Sequence, residues 1–265
     1  MTIAVQCRGL AAGWNDQLLI EGVDLDAAFT ELNECLPIAG RTGVGKSTLL
    51  YILSGMGIPA AGRVSWRLPL REAPLATLGW REVSWSAETP ETFKPAAIPR
   101  PRSFGFLLQD AAMVPCFTIQ ENLYHSMNLR GVLGDRKHVD TRIRAAVTTM
   151  LIEGEDVDRL LQAYPSQLSG GQRQRMGLAA ATGHDPAVLF ADEPTASLDD
   201  ETGLQVLKRI RQWLDDAPSP GERSFVFVTH RLDIIKSGLR ASRLLKLRKL
   251  QNGSSSLDFH WEASP

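Results

Sequence analysis

Apolar positions along the chain follow two different rhythms. Phe104–Leu108 (FGFLL), Ala187–Ala191 (AVLFA) and Ser224–Thr229 (SFVFVT) are continuous apolar runs. Runs of that length without polar alternation predict strands buried on both faces, as in a parallel sheet. Leu18–Leu25 and Leu36–Ala39 read as further short strands, although Pro37 is out of place inside one, because proline has no N–H for a ladder. The other rhythm is helical. Ile143, Val147, Met150 and Leu151 share one face, as do Leu204, Leu207, Ile210 and Leu214. Thr118-Ile-Gln-Glu121 is a capping box that opens a helix, and a glycine-rich turn precedes a helix expected over Lys46–Leu53. Leu245 and Leu247, then Asn252-Gly253, then Leu257, Phe259 and Trp261 predict a hairpin about an Asn-Gly turn. Residues 59–101 break both rhythms. Prolines stand at 59, 69, 74, 90, 95, 99 and 101 with Trp66, Trp80 and Trp85 among them, so a loop-rich or short-stranded region is expected there.

Composition narrows the class. The chain of 265 residues is 43% hydrophobic and 22% charged, ordinary for a soluble globular protein. Its net charge of -1, with no long single-sign block, argues against a basic nucleic-acid face, and no nucleic-acid partner is expected. Cys7, Cys35 and Cys116 are scattered without metal spacing and read as reduced thiols. The first residues lack the basic flank and apolar core of a signal peptide. No stretch approaches the roughly 20 apolar residues of a membrane helix, so any membrane role is expected to run through a partner. His125, His138, His184 and His260 match no motif.

Chemistry concentrates in three places. Gly40-Arg41-Thr42-Gly43-Val44-Gly45-Lys46-Ser47-Thr48 follows an apolar strand and opens a helix. Its glycines let backbone N–H groups wrap phosphates, Lys46 reaches the β- and γ-phosphates of ATP, and the Ser47 hydroxyl ligates Mg²⁺. Asp192-Glu193 ends the second buried run. In such enzymes the aspartate holds Mg²⁺ through its water shell, and a carboxylate one residue on can accept a proton from the attacking water. The third place is QLSGGQRQR, residues 167–175. Two adjacent glycines at a helix start weaken it by about 1 kcal/mol each, so something is expected to approach that backbone closely, and an anion suits a helix N-terminus.

LSGGQRQR matches the signature of the ATP-binding-cassette family at every position, and LSGGQ arises by composition in fewer than about 1 chain in 1000 of this size. The chain resembles that family over roughly residues 3–250. The resemblance implies two cassettes facing head to tail, the signature of one capping the γ-phosphate held by the other. Ser169, Gly170, Gly171 and Gln172 would then act on nucleotide in trans. It further implies that Gln109 senses Mg²⁺ and the attacking water, that Ser197-Leu198-Asp199 communicates across the dimer, that His230 contacts the γ-phosphate, and that Trp14 stacks on adenine. Met113–Leu123, AYPSQLSGGQRQR and LFADEPTASLD resemble the ATPases of lipoprotein-releasing, macrolide-export and cell-division transporters, although importers share the latter two. Ala179-Ala180-Ala181 replaces that group's usual Ala-Arg-Ala, and the stretch from Lys46 to Gln109 is longer than usual. The surplus, about Trp66–Pro101, is expected to be an elaborated antiparallel edge or a docking surface.

The resulting expectation is an α/β P-loop cassette with a mostly parallel core sheet, an antiparallel portion within residues 60–103 and a helical lobe within residues 112–178. The ATPase domain is expected over residues 1–250, with a hairpin and tail after it. The expected function is MgATP hydrolysis driving a separate transmembrane permease from the cytoplasmic face of the inner membrane. Glu193, His230 and Gln109 are the catalytic group; Ser47, Gln109 and Asp192 surround the metal. A second ATPase subunit completes the dimer, as a homodimer or heterodimer. Alternatives are an importer ATPase, a mechanical transmitter that moves no solute, and a soluble cassette acting on DNA or ribosomes.

Overall fold

The structure, a computed structural model, describes residues 1–14, 17–28, 34–72, 76–87, 103–108, 111, 113–129, 135–196, 198–231, 239, 244–249 and 254–260. Its strands form one sheet in the order β5-β4-β1-β2-β10-β9-β3-β8-β7-β6. β1 (Ala4–Trp14), β2 (Gln17–Ala28), β4 (Ala61–Glu72) and β5 (Ala76–Ser86) pair antiparallel. β3 (Cys35–Ala39), β6 (Phe104–Leu107), β7 (Val188–Asp192) and β8 (Ser224–Val228) pair parallel. Every position of β3, β7 and β8 is buried, which is why their sequences carry no polar alternation. β9 (Leu244–Lys249) and β10 (Ser255–His260) bridge the halves: β9 lies parallel to β3, and β10 meets β2 where Ser255 pairs with Ile20.

The expected hairpin at the chain end exists, but its innermost described pair is Lys249 with Ser255. Residues 250–253, Asn252-Gly253 among them, and Trp261 lie outside the described residues. Pro37 also has a physical account. Phe225 N–H donates to Glu34 O and Thr229 N–H to Ile38 O, so even-numbered residues of β3 face β8. Pro37 faces the other side, where the described pairing with β9 begins only at Ile38. The missing N–H therefore falls before that ladder starts.

The expectation of loops or short strands over residues 59–101 is overturned for its first half. β4 and β5 run 12 and 11 residues and pair from Arg63–Ser86 to Glu72–Ala76. Pro69 lies beyond the last β1–β4 pair, Ala4 with Arg67, where no described ladder is interrupted. Residues 88–102 lie outside the described set. Trp66 and Trp85 are buried rather than displayed. Their indole N–H groups donate to Leu53 O at 2.8 Å and Ile52 O at 2.9 Å. Those carbonyls end α1 (Lys46–Leu53), where a helix leaves acceptors without intrahelical partners. The Trp66 ring also meets Phe104 and Phe190 edge-on, each at 5.7 Å.

Helices α2 (Ile119–Leu129), α3 (Arg136–Thr148), α4 (Val157–Gln162) and α5 (Gly170–Thr182) follow β6, and α6 (Asp200–Asp215) follows β7. Side-chain caps set their starts. The Thr118–Glu121 box forms as expected, and Asp135, Asp156, Ser169 and Asp199 each accept a first-turn N–H. Ile143 and Val147 lie in α3, while Met150 and Leu151 fall just past its end. Two apolar cores result. One joins α1 to the antiparallel strands; the other packs α2–α6 on the opposite face of the parallel strands.

Candidate functional site

β3 stops at Ala39, and Gly40–Gly45 turn the chain into α1. Gly45 needs to be glycine on two counts. Its φ is 91°, and a Cβ there would stand 2.9 Å from Ile20 Cγ1. Arg41, Thr42 and Gly43 are exposed at the rim, whereas Val44, Gly45, Lys46 and Thr48 are buried and Gly40 and Ser47 half-buried. Lys46 Nζ donates to Arg41 O at 3.1 Å, which lays the ammonium against the loop's own backbone.

The carboxylates arrive from the neighbouring strands. Asp192 pairs with Val228 across β7 and β8, and Glu193 N–H donates to Val228 O at 3.1 Å. The phosphate-type loop, Asp192-Glu193 and His230 therefore leave the same C-terminal edge of the parallel strands, where open α/β sheets place ligands. Ser47 Oγ donates to Asp192 Oδ1 at 3.0 Å, and Tyr51 OH donates to Oδ2 at 3.1 Å. Burial, then the Asp192 charge beside it, raises the Tyr51 pKa, so the phenol remains a donor through neutral pH. Sequence reasoning missed Tyr51; its one signal is position 51 on α1, one turn beyond Ser47 on the same face. Glu193 has φ 52°. That left-handed backbone turns its side chain towards His230, whose Nδ1 lies 2.6 Å from Glu193 Oε2. The other carboxylate oxygen has no partner among the described residues.

Ser47 and Asp192 offer two oxygen donors. Among the described residues no group of three or more His, Cys, Asp or Glu side chains could hold a metal ion. That donor set fits Mg²⁺, which keeps several waters and takes one or two protein oxygens beside substrate phosphates. Gln109 lies outside the described residues, as does Ser197. Trp14 ends β1 in register with Gln17, but its side chain is likewise outside them.

At the signature, Ser169 Oγ accepts from Gln172 N–H at 3.2 Å and Gln172 Oε1 accepts from Ser169 N–H at 3.0 Å. This capping box was not read from the sequence, although S-G-G-Q has the required spacing. It orients the Ser169 oxygen inward and leaves the hydroxyl hydrogen to donate outward. The paired glycines have different reasons. A Cβ on Gly171 would stand 2.5 Å from Thr202 Cγ2, so α6 packs directly on it, whereas a Cβ on Gly170 would meet open space. Gln174, inside α5, donates to Pro194 O at 3.0 Å and ties this helix to the turn after Glu193. Asp199 caps α6 through Thr202 N–H and Oγ1 at 2.9 and 2.8 Å, and those bonds hold its carboxyl below the usual range.

A cavity of ≈ 400 Å³ opens between α2, α5 and the end of β6, lined in part by Phe106, Ala111, Met113 and Val114. Met56, Val114 and Leu129 stand at its walls and are 47%, 37% and 67% exposed. Cys116 is exposed and Phe117 half-buried beside it; Ala112 lies outside the described residues.

The family profile described as ABC transporter matches residues 28–196. The chain belongs to that family. It is 33% identical over 228 residues to the sulfate/thiosulfate import ATP-binding protein CysA of Bradyrhizobium diazoefficiens, covering 86% of this chain and 57% of that protein. It is 31% identical to the ABC transporter ATP-binding protein YtrE of Bacillus subtilis over 84% of each chain. The chain spans a little over half the length of most of the CysA relatives. The lipoprotein-releasing, macrolide-export and cell-division resemblance is not reflected among these relatives, where sulfate import proteins predominate. The fold matches the dimeric post-hydrolysis cassette MJ0796 bound to ADP and Pi, with TM-score 0.69 at 22% identity over 98% of this chain and 99% of that one. It also matches cbiO1 of Clostridium perfringens, TM-score 0.68 at 19% identity over 97% and 88% of the two chains. The sheet described above is thus the ABC cassette fold, with its parallel and antiparallel halves.

Proposed function

We propose that this cassette binds MgATP at Gly40–Thr48 and hydrolyses it to drive a transmembrane permease docked on its surface. One observation carries the reading: Ser47 and Tyr51 both donate to Asp192 beside the Glu193–His230 pair, at the same sheet edge as the Lys46 loop. Backbone N–H groups of the loop and Lys46 hold the β- and γ-phosphates. Mg²⁺ next to Ser47 and Asp192 would neutralise phosphate charge. The free oxygen of Glu193 takes a proton from water as it attacks, and His230 steadies the carboxylate and reaches the γ-phosphate. Gln109 and Asp199 complete the metal and dimer contacts, and Trp14 stacks on the base. Ser169, Gly170, Gly171 and Gln172 of a second copy close the site: the outward hydroxyl and the open face at Gly170 suit an approaching anion.

The permease is assigned to the cavity by α2. Its exposed Met56, Val114 and Leu129 form an apolar surface that water leaves unsatisfied, and Met113 adapts to an irregular partner. No helix among the described residues is long and apolar enough to cross a membrane, so such a cassette would sit at the cytoplasmic face through that partner. The CysA relatives, sulfate/thiosulfate import proteins, favour uptake over export as the direction.

Glu193→Gln tests the chemistry. It should keep ATP binding while turnover falls at least ~100-fold, the scale of a lost general base. It should also accumulate an ATP-bound dimer visible by light scattering. Near-normal hydrolysis would remove Glu193 from the role.

A further inference from the structure

Glu155, in the link between α3 and α4, has no part in the chemistry above, yet it is nearly buried. Its side chain is 11% exposed and that of Arg175 beside it 3%. Three donors converge on this one carboxylate. Oε2 accepts Ile152 N–H at 3.0 Å. Oε1 accepts Gln172 Nε2 at 3.2 Å and also the Arg175 guanidinium. The neighbouring Arg175 lies two turns into α5, and Gln172 is the residue that closes the Ser169 capping box.

We infer that Glu155 is a positioning residue for the signature, acting through Gln172 on the Ser169 hydroxyl; this rests on the reading that the signature faces nucleotide. The chemistry of the amide makes the coupling specific. A carboxylate only accepts, so Gln172 turns its NH₂ towards Glu155. Its carbonyl oxygen is thereby committed to Ser169 N–H, and the box closes with one amide orientation. Arg175 holds the Glu155 carboxylate in place, since breaking a buried ion pair strands the remaining charge. The link 152–155 is thus clamped to the first turn of α5, and the Ser169 hydroxyl inherits that rigidity. Nothing in the spacing of LSGGQ shows this, because Glu155 lies 17 residues before Gln172.

Glu155→Gln is not a conservative change here. Its NH₂ must face either Ile152 N–H or the Gln172 and Arg175 donors, and no orientation satisfies all three. The test compares that variant with the double variant Glu155→Leu/Arg175→Met, which replaces the ion pair by apolar side chains of similar length. Hydrogen exchange of the nucleotide-free protein comes first. Ser169 and Gln172 amides should lose at least tenfold of their protection in both variants, while Gly183 at the far end of α5 keeps its own. In steady-state kinetics both should lose about tenfold in kcat with KM for ATP within twofold. The double variant should nonetheless regain most of the thermal stability that Glu155→Gln loses, which separates positioning from support of the fold. Recovery of turnover or of Ser169 protection in the double variant would overturn the inference, as would wild-type exchange in Glu155→Gln. If wild-type protein fails to hydrolyse ATP, the proposed function falls, and the exchange result alone decides the role of Glu155.

Discussion

Replacing Trp66 with Phe separates two accounts of the Pro/Trp-rich segment. In the structure its indole is buried and donates to Leu53 O at 2.8 Å, closing the C-terminus of the helix that begins with Lys46 and Ser47. The variant keeps one six-membered ring and loses the donor. An orphaned buried carbonyl costs about 1–3 kcal/mol, and the space left by the outer part of the indole adds a cavity cost beside Phe104 and Phe190. About 3 kcal/mol in all should lower Tm by roughly 5–10 °C in a chain of this size. Circular dichroism melts of purified protein measure it. Trp85→Phe should cost less than Trp66→Phe, because Ile52 O still accepts Gly55 N–H at 3.1 Å, and Trp80→Phe, at a half-buried position, should cost less than half as much as Trp66→Phe. If Trp66 instead belonged to a docking surface, Tm would hold and partner binding would fail. A Trp66→Phe melt within about 1 °C of wild type would refute the helix-end account.

Ser169→Arg and Lys46→Ala should each abolish hydrolysis, but mixing the two proteins should restore some activity, because one composite site then gathers both defects; no recovery among demonstrably exchanging dimers would count against signature action in trans. Val114→Asp should keep basal turnover within twofold yet reduce recovery of a transmembrane chain from detergent-solubilised membranes at least tenfold, since burying an unpaired carboxylate costs several kcal/mol; wild-type recovery would move the docking site elsewhere. Burial pushes the Cys7 and Cys35 thiols from the ordinary 9.0 up to about 12, so maleimide at pH 8 should label exposed Cys116 alone. Because the folded pKa values are the higher ones, the stability these thiols contribute is complete below about pH 9 and lost as pH rises towards 12. Urea midpoints at pH 8 and pH 10.5 should show that decline, and equal labelling of all three cysteines in folded protein would contradict it.

What was legible in the sequence is what must be contiguous. A phosphate cradle is made of successive backbone N–H groups, so Gly40–Ser47 announces itself, as does a carboxylate pair ending a buried strand. The strands of the parallel half were equally plain, because burial on both faces erases alternation. Contacts between distant segments leave no such trace. Tyr51 reaches Asp192 across 141 positions, and Trp66 reaches Leu53 across 13. The prolines at 69 and 74 read as breakers, but Pro69 stands where β4 has only one described neighbour. The paired glycines of the signature looked alike, yet Gly171 answers to Thr202 and Gly170 to nothing inside the described chain.

Glu193 holds φ 52°, a conformation that glycine or asparagine adopts with less strain than a residue carrying Cβ and a longer side chain. The misfit costs on the order of 1–2 kcal/mol. Selection for stability alone would therefore drift this position towards Gly or Asn, and an engineer hunting thermostable variants would be led to the same place. Such a protein would fold better and lose the carboxylate to which the proposed function gives the role of base. On that proposal durability and turnover pull in opposite directions at this one residue, and the chain has settled for the strained glutamate.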